Sequence, residues 1–209
     1  REVTAVGKLV KKRADGLWGW LCPLVLAAAF LLGGLAGCLY AGRLSGAEEE
    51  AVTSYLADYM RLLQDGGPAP ELGPILRERL LLWLAVTLCG LTGLGLLGVP
   101  VLCGAQGFLL CYGCACFRRA IGGGAAAAAV LFGLPALLWA PVLFLLGCQS
   151  LGSAAALLRR CVWGAGEAVF SRLYWVRVFL GGAALILCAA AEYTVVPGLL
   201  VRLAAWLLR

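Results

Sequence analysis

The chain has 209 residues, of which 63% are hydrophobic and 13% charged, and it contains no histidine. A soluble domain of this length cannot bury so much apolar surface, so the composition predicts an integral membrane protein. The net charge is +6, and the Lys and Arg residues lie at the ends of apolar runs. That arrangement is typical of membrane topology signals and argues against a nucleic-acid-binding surface.

The N-terminal segment, residues 1–16, is polar and basic and precedes an apolar run of 26 residues, 17–42. This run is too long for the apolar core of a signal peptide, so we expect a retained transmembrane helix. The bases before it favour a cytoplasmic N-terminus and an extracytoplasmic position for residues 43–76. These bases are Lys8, Lys11, Lys12 and Arg13.

Residues 43–76 form the largest polar segment. Ser45 and Glu48 have the spacing of a capping box, and apolar residues then recur at the spacing of one helical face. These are Val52, Tyr55, Leu56, Tyr59, Met60 and Leu63. The pattern predicts an amphipathic helix about 30 Å long, followed by a Pro-rich loop. The helix either packs against the end of the bundle or presents Tyr55, Tyr59 and Met60 as a docking face for a protein partner.

Two long uncharged runs follow, at residues 80–117 and 120–158. The first would be about 57 Å long as one helix, which no bilayer accommodates, so we expect it to fold back at Gly98-Val99-Pro100. In the second run we expect a short membrane-dipping helix near 121–132 and a full crossing near 136–157. Two full crossings in this second run are the alternative.

The last apolar run, residues 178–201, contains a single ionisable residue, Glu192. A carboxylate within a transmembrane helix is costly and usually faces protein or water. Pro197 lacks an N–H group and weakens the helix about one turn later. Read back at helical spacing from Glu192, one face carries only small side chains that permit close helix packing, those of Cys188, Ala184 and Gly181.

Glu192 lies about 21 Å into a hydrocarbon core of roughly 30 Å, in its outer third. We expect it to face the bundle and pair with an arginine from the outer end of a neighbouring helix, because a guanidinium matches a carboxylate in a bidentate way. Arg118 or Arg119 is the preferred partner, and Arg77 or Arg79 is the alternative. The other reading is that Glu192 reaches the headgroups directly.

No catalytic motif is present in the sequence. Most of the ten cysteines lie within apolar runs, where they are interpreted as small packing side chains. Cys111, Cys114 and Cys116 would point around a helix rather than to one face, and no histidine exists to complete a metal site. The sequence therefore predicts no enzyme, cofactor, metal or small-molecule substrate. It predicts one all-α transmembrane domain over residues 1–209, a polytopic helical bundle with about five transmembrane helices and an outer amphipathic helix, in contact with membrane lipids.

The order of these parts resembles the stage II sporulation protein M family. In that family a first span is followed by an extracytoplasmic helix and then by a hairpin of spans with a Gly-x-Pro turn, here Gly98-Val99-Pro100. The stretch Gln106-Gly107-Phe108-Leu109-Leu110 is similar to the family's basic/polar-Gly-Phe stretch. Leu134-Pro135 and Pro141 are similar to a family segment that contains two spaced prolines. The end, Ala190-Ala191-Glu192-Tyr193 followed by Pro197, is similar to its small-small-acid-aromatic motif.

The resemblance implies a non-enzymatic membrane anchor in an endospore-forming bacterium. Such an anchor would hold the peptidoglycan-degrading stage II sporulation proteins D and P at the septal membrane of the mother cell during engulfment. The alternative is a membrane subunit of an ABC-type or other small permease. A permease subunit would need a cytoplasmic coupling helix for an ATPase, for which residues 159–177 are the only candidate segment.

Overall fold

The computed structural model describes the backbone of residues 2–44, 72–120, 128–163 and 170–207 and the single positions 46, 50, 51, 54 and 58. Side-chain surroundings are described at those single positions and for residues 19–44, 72–119, 128–129, 131–162, 170–195 and 198–199. Within these ranges the secondary structure is helical, with no strand. The α-helices are α1, Glu2–Ala41; α2, Leu72–Leu91; α3, Gly95–Ala120; α4, Leu134–Trp163; and α5, Arg172–Leu207, with a π-helical segment, Ala129–Gly133, directly before α4.

Four helices in the described ranges are long and apolar enough to cross a membrane. Their apolar spans are Gly19–Ala41, Gly95–Arg119, Leu131–Val162 and Arg172–Val195. The predicted class, an all-α polytopic membrane protein, is therefore confirmed. The fifth helix, α2, carries Arg77, Glu78 and Arg79 in its first half, and these charges shorten its apolar part to residues 80–91.

The helices alternate in direction along the chain. Contacts between residue pairs show that α2 runs parallel to α4 and that α5 runs antiparallel to α4. These pairs are Arg79–Trp139 and Gly90–Ser150 for α2 and α4, and Leu146–Gly181 and Gln149–Tyr174 for α4 and α5. We call the end of the bundle where α1 and α3 finish the Glu192 end, and the opposite end, where α5 begins, the Arg177 end.

Helices α1 and α3 run parallel and approach each other backbone to backbone through glycine. A Cβ on Gly33 would overlap the carbonyl of Gly104, and one on Gly107 would overlap the carbonyl of Phe30. Gly37 lies equally close to Phe108. Because small residues let transmembrane helices approach closely and gain van der Waals contact, this interface holds α1 on the bundle.

The buried core forms where α1, α2, α3 and α5 meet α4. Its largest fully buried side chains include Leu26, Val99, Leu143 and Leu185, which come from four different helices. Polar groups in the core bond to backbone carbonyls, since Ser153 Oγ donates to Gly90 O at 2.8 Å and Thr87 Oγ1 to Trp83 O at 2.7 Å. Such bonds satisfy hydroxyl groups where no water is present.

The hairpin between α2 and α3 turns earlier than the sequence predicts. The turn lies at residues 92–94, and Pro100 is inside α3 rather than at the fold-back. A Cβ on Gly95 would overlap the carbonyl of Cys89, so glycine at this position permits the sharp reversal. Pro100 is the sixth residue of α3, and it removes only one hydrogen bond close to the start of the helix.

The expected short helix near 121–132 is only partly described, because residues 121–127 lie outside the described ranges. From residue 128 the chain is continuously helical through Pro135 and Pro141 to Trp163, so Gly133-Leu134-Pro135 does not end a helix. The backbone there widens into a π-turn, with Leu134 N donating to Ala129 O. A π-bulge is one way in which a helix accommodates a proline that cannot donate its own hydrogen bond.

The segment between α1 and α2 contains the predicted outer helix, of which five positions are described. Gly46, Glu50, Ala51, Ser54 and Asp58 are all helical and exposed. Four of these positions are spaced by four residues and therefore lie on one helical face. Tyr55, Tyr59 and Met60, the predicted docking residues, lie outside the described residues.

Candidate intramembrane polar site

A cavity of about 400 Å³ lies among α2, α3, α5 and the start of α4. Its wall combines apolar side chains with a small group of polar ones. The lining residues are Glu78, Arg79, Gln106, Leu109, Leu110, Leu131, Phe132, Pro135, Trp139 and Glu192. Within the described part of the chain this is the cavity in which ionisable groups from different helices meet.

Arg79 is the centre of the polar group, and only 5% of its surface is exposed. Its Nη2 donates to Glu192 Oε2 at 2.9 Å, and its Nη1 lies 3.4 Å from Glu78 Oε1. The guanidinium carbon lies 4.9 Å from the centre of the Trp139 ring. Charge-assisted hydrogen bonds and a cation–π contact together offset the cost of burying this cation.

The site extends deep into the bundle rather than lying at its rim. Gln106, which lines the cavity, is close to the middle of the apolar span of α3, Gly95–Arg119. Only 19% of the Glu192 side chain is exposed. The ion pair therefore links α2 to α5 inside the bundle, as the expected pairing of Glu192 with an arginine requires.

The local charge is not fully balanced. Glu78, Arg79 and Glu192 sum to one negative charge, with Glu78 at the exposed rim. Arg79 Nε is buried and has no hydrogen-bond partner among the described residues. A buried donor without a partner is costly, so this atom lowers the net stability that the polar group contributes.

The structure places Glu192 against Arg79, the alternative partner, and not against the preferred Arg118 or Arg119. Arg118 is exposed, and Arg119 Nη1 donates to the carbonyl of Ala41 at the end of α1. Both arginines lie 12–13 residues beyond Gln106, which is about 18–20 Å further along α3. No side chain covers that distance, whereas Arg79 lies on a helix that packs directly against α5.

The small residues before Glu192 lie against large side chains of neighbouring helices. Leu146 covers Gly181, and the Trp83 indole covers Gly182 and donates through Nε1 to Val178 O at 3.0 Å. Cys188 Sγ lies 3.4 Å from Leu138 O. The α5 backbone is helical through Pro197 to Leu207, so the proline does not end the helix.

Two parts of this arrangement were missed by sequence reasoning. The contact of Trp139 with Arg79 has no signal in the sequence, because it depends on how α2 and α4 are placed relative to each other. The glycine interface between α1 and α3 did have a signal, since Gly33 and Gly37 form a GxxxG motif in the first apolar run.

The ionisable side chains that line the cavity are two carboxylates and one guanidinium. None of its lining residues is a Ser, Thr, Cys, Lys or His that a base could activate. Across the described residues no group of three or more His, Cys, Asp or Glu is placed to hold a metal ion, and the cysteines are free. What this set of groups can do is hold two helices together or bind a small polar molecule.

No family model, curated protein or solved structure matches this chain. The fold and the site define its class as a multi-pass, all-α membrane protein with an ion pair inside the bundle.

Proposed function

We propose that this protein is a non-enzymatic membrane anchor of the sporulation engulfment machinery. In this proposal it recruits the peptidoglycan-degrading stage II sporulation proteins D and P to the septal membrane of the mother cell. The observation that carries the proposal is that Glu192, the acid of the motif that resembles the stage II sporulation protein M family, is neutralised by Arg79 of another helix. An internal ion pair of this kind maintains the shape of a scaffold and engages Glu192, the carboxylate that a proton relay through α5 would need.

The docking surface in this proposal is the outer helix between α1 and α2. Glu50, Ser54 and Asp58 are exposed and lie on one helical face. The sequence places Tyr55, Tyr59 and Met60 on the apolar side of the same helix. Aromatic residues and methionine are enriched at protein–protein interfaces, which supports a role for these three in partner binding.

Replacing Tyr55, Tyr59 and Met60 together with serine is expected to abolish recruitment of the cell-wall hydrolases while the protein level in the membrane stays normal. The physical reason is the loss of the apolar anchors on which most interface energy depends. Crosslinking in membranes followed by affinity capture measures the recruitment, and immunoblotting measures the level. The matched control is the triple replacement of Glu50, Ser54 and Asp58 with alanine on the opposite face.

Two outcomes of that experiment contradict the proposal. One is a fall in protein level that accounts for all of the lost recruitment, since this would mean that the helix packs on the bundle. The other is equal loss of recruitment in the control variant. Capture of an ATPase instead of hydrolases would support the permease alternative.

The proposed orientation has the N-terminus and the Arg177 end in the cytoplasm, and residues 43–76 and the C-terminus outside. It depends on the basic cluster at residues 8–13 and on the alternating directions of the five helices. In intact cells, a membrane-impermeant thiol reagent is expected to label a single cysteine at position 65 and not one at position 12, in a cysteine-free background. Labelling at position 12 without labelling at position 65 would contradict the proposal and would show that the N-terminus lies outside the cell.

The permease alternative is favoured by one observation, the cavity of about 400 Å³ around a half-buried Glu192. A substrate could in principle enter such a space. Against it, α4 continues to Trp163 and α5 begins at Arg172, which leaves only residues 164–171 between them. Most of the candidate coupling segment, residues 159–177, therefore belongs to the two membrane helices.

A further inference from the structure

A second site lies at the opposite end of the bundle, where α4 and α5 separate along their outer faces. A groove of about 630 Å³ runs between the two helices. Most of its lining residues are apolar and several are small, while its polar members are Gln149 and Arg177. The lining residues are Val142, Leu145, Leu146, Cys148, Gln149, Gly152, Arg177, Leu180, Gly181 and Ala184.

The groove exists because two turns of both helices carry small side chains. Gly152 has no atom of another residue within 4 Å of the position where its Cβ would lie, so the space in front of it is open. Ala184 lines the same space on α5. Because these side chains are small, the space between the two helices stays open as a groove on the surface of the bundle.

Towards the Arg177 end the groove continues into a smaller polar cavity of about 250 Å³. The two spaces share Gln149, Gly152 and Arg177. Among the residues that the smaller cavity adds are Ser171 and Tyr174, at the start of α5. An apolar channel is therefore joined to a polar chamber at its end.

The wall of the polar chamber includes a buried tyrosine, Tyr174. Tyr174 is only 7% exposed, and its hydroxyl has no hydrogen-bond partner among the described residues. Gln149 Nε2 donates to the Tyr174 carbonyl at 3.0 Å, which fixes the amide beside the chamber. The Tyr174 oxygen is closed off from the chamber, so Gln149 and Arg177 are the polar side chains that the chamber shares with the groove.

The described side chains at this end carry a net positive charge. Arg159, Arg160, Arg172 and Arg177 lie here, whereas the carboxylates with described side chains lie elsewhere: Glu78 and Glu192 line the first cavity, and Glu50 and Asp58 lie between α1 and α2. Arg177 forms no ion pair with any of these described carboxylates. An anionic group is therefore complementary to the chamber.

Aromatic side chains place the chamber at the depth of the lipid headgroups. Phe170, Tyr174, Trp175 and Phe179 form a chain of ring contacts at the start of α5, with ring centres 5.4–6.4 Å apart. Tyr and Trp are enriched at the membrane–water interface. The groove then runs from this level into the apolar layer.

We propose that the α4–α5 groove binds one anionic phospholipid, with an acyl chain between the helices and the headgroup phosphate at Arg177. Basic pockets between transmembrane helices are a recognised form of lipid headgroup site. This inference does not depend on the proposed anchoring function. It assigns to the protein a preference for membrane regions rich in anionic lipid.

Native mass spectrometry of the full-length protein in detergent, with phosphatidylglycerol or phosphatidylcholine added, tests the proposal. The wild-type protein is expected to bind phosphatidylglycerol more tightly than phosphatidylcholine. Arg177→Gln is expected to reduce that affinity about fivefold and to remove the preference, since one arginine at the membrane surface has an effect of that size. The matched control, Arg172→Gln, removes an arginine from the same helix end that does not line the groove, and it is expected to weaken binding less than Arg177→Gln.

Filling the groove provides an independent test. Gly152→Leu is expected to weaken binding of both lipids, because its side chain occupies the open space, whereas Gly152→Ala is expected to bind nearly as wild type. Glycerol 3-phosphate alone is expected not to raise the thermal unfolding temperature. The proposal is overturned if both arginine variants lose phosphatidylglycerol equally, if Gly152→Leu binds as wild type, or if soluble glycerol phosphate stabilises as well as the lipid.

Discussion

Replacing Glu192 with alanine is expected to destabilise the bundle by about 3–5 kcal/mol, because it leaves the buried Arg79 guanidinium without its main counter-charge. Glu192→Gln is expected to cost less, since the amide oxygen still accepts a hydrogen bond from Arg79. Unfolding of the purified protein in mixed micelles, with increasing denaturing detergent, measures both. This is the largest effect we expect from any single side chain in the polar site.

The double variant Arg79→Met, Glu192→Ala identifies the cause of this destabilisation. If the cost of Glu192→Ala comes from an uncompensated charge, removing that charge is expected to recover part of the lost stability. The matched control is Arg118→Gln with Glu192→Ala, because Arg118 is at the same end of the bundle but about 18 Å further along α3. If the loss of unfolding free energy in each double variant equals the sum of the losses in its two single variants, the Arg79–Glu192 pair contributes no coupling energy.

Replacing Gly107 with alanine is expected to push α1 away from α3 and to lower stability by about 1–3 kcal/mol or more. The new methyl group would overlap the backbone carbonyl of Phe30, which cannot move aside as a flexible side chain would. Gly33→Ala is expected to act in the same way, since its Cβ would overlap the carbonyl of Gly104. The same unfolding assay measures both variants.

Gly19→Ala is the matched control for the glycine interface. It lies in α1, and no atom of a neighbouring residue comes within 4 Å of its Cβ position. Alanine is favoured over glycine within a helix by up to about 1 kcal/mol, so this change is expected to be neutral or slightly stabilising. Stability of Gly107→Ala equal to that of Gly19→Ala would show that the close α1–α3 approach does not contribute to folding.

The two polar regions of the protein divide its proposed roles between the two ends of the bundle. The Arg79–Glu192 pair joins α2 to α5 and stabilises the arrangement of the helices. The Arg177 chamber is the proposed site of an anionic headgroup. A scaffold that positions cell-wall hydrolases needs both a fixed shape and a defined membrane environment. In these proposals the Arg79–Glu192 pair maintains the shape, and the Arg177 chamber selects the lipid.

The sequence by itself determined the class of the fold and the kind of group that the site would contain. Uninterrupted apolar runs predicted the membrane helices, because the partition of a helix into lipid depends on the residues of that segment alone. Glu192 was recognised as a residue needing a partner for the same reason, since a carboxylate in an apolar run is costly wherever the other helices lie.

The identity of the partner depended on the tertiary structure. Arg79 and Arg118 are equivalent in the sequence, since each is a base next to an apolar run at the same end of the bundle. Only the packing of α2 against α5, with Trp139 beside it, brings Arg79 within 2.9 Å of Glu192. The position of the hairpin turn was decided in the same way, because Pro100 fits within the first turns of α3 while close packing requires glycine at Gly95. Hydropathy is a property of one segment, whereas pairing and packing depend on the distance between segments that are far apart in the chain.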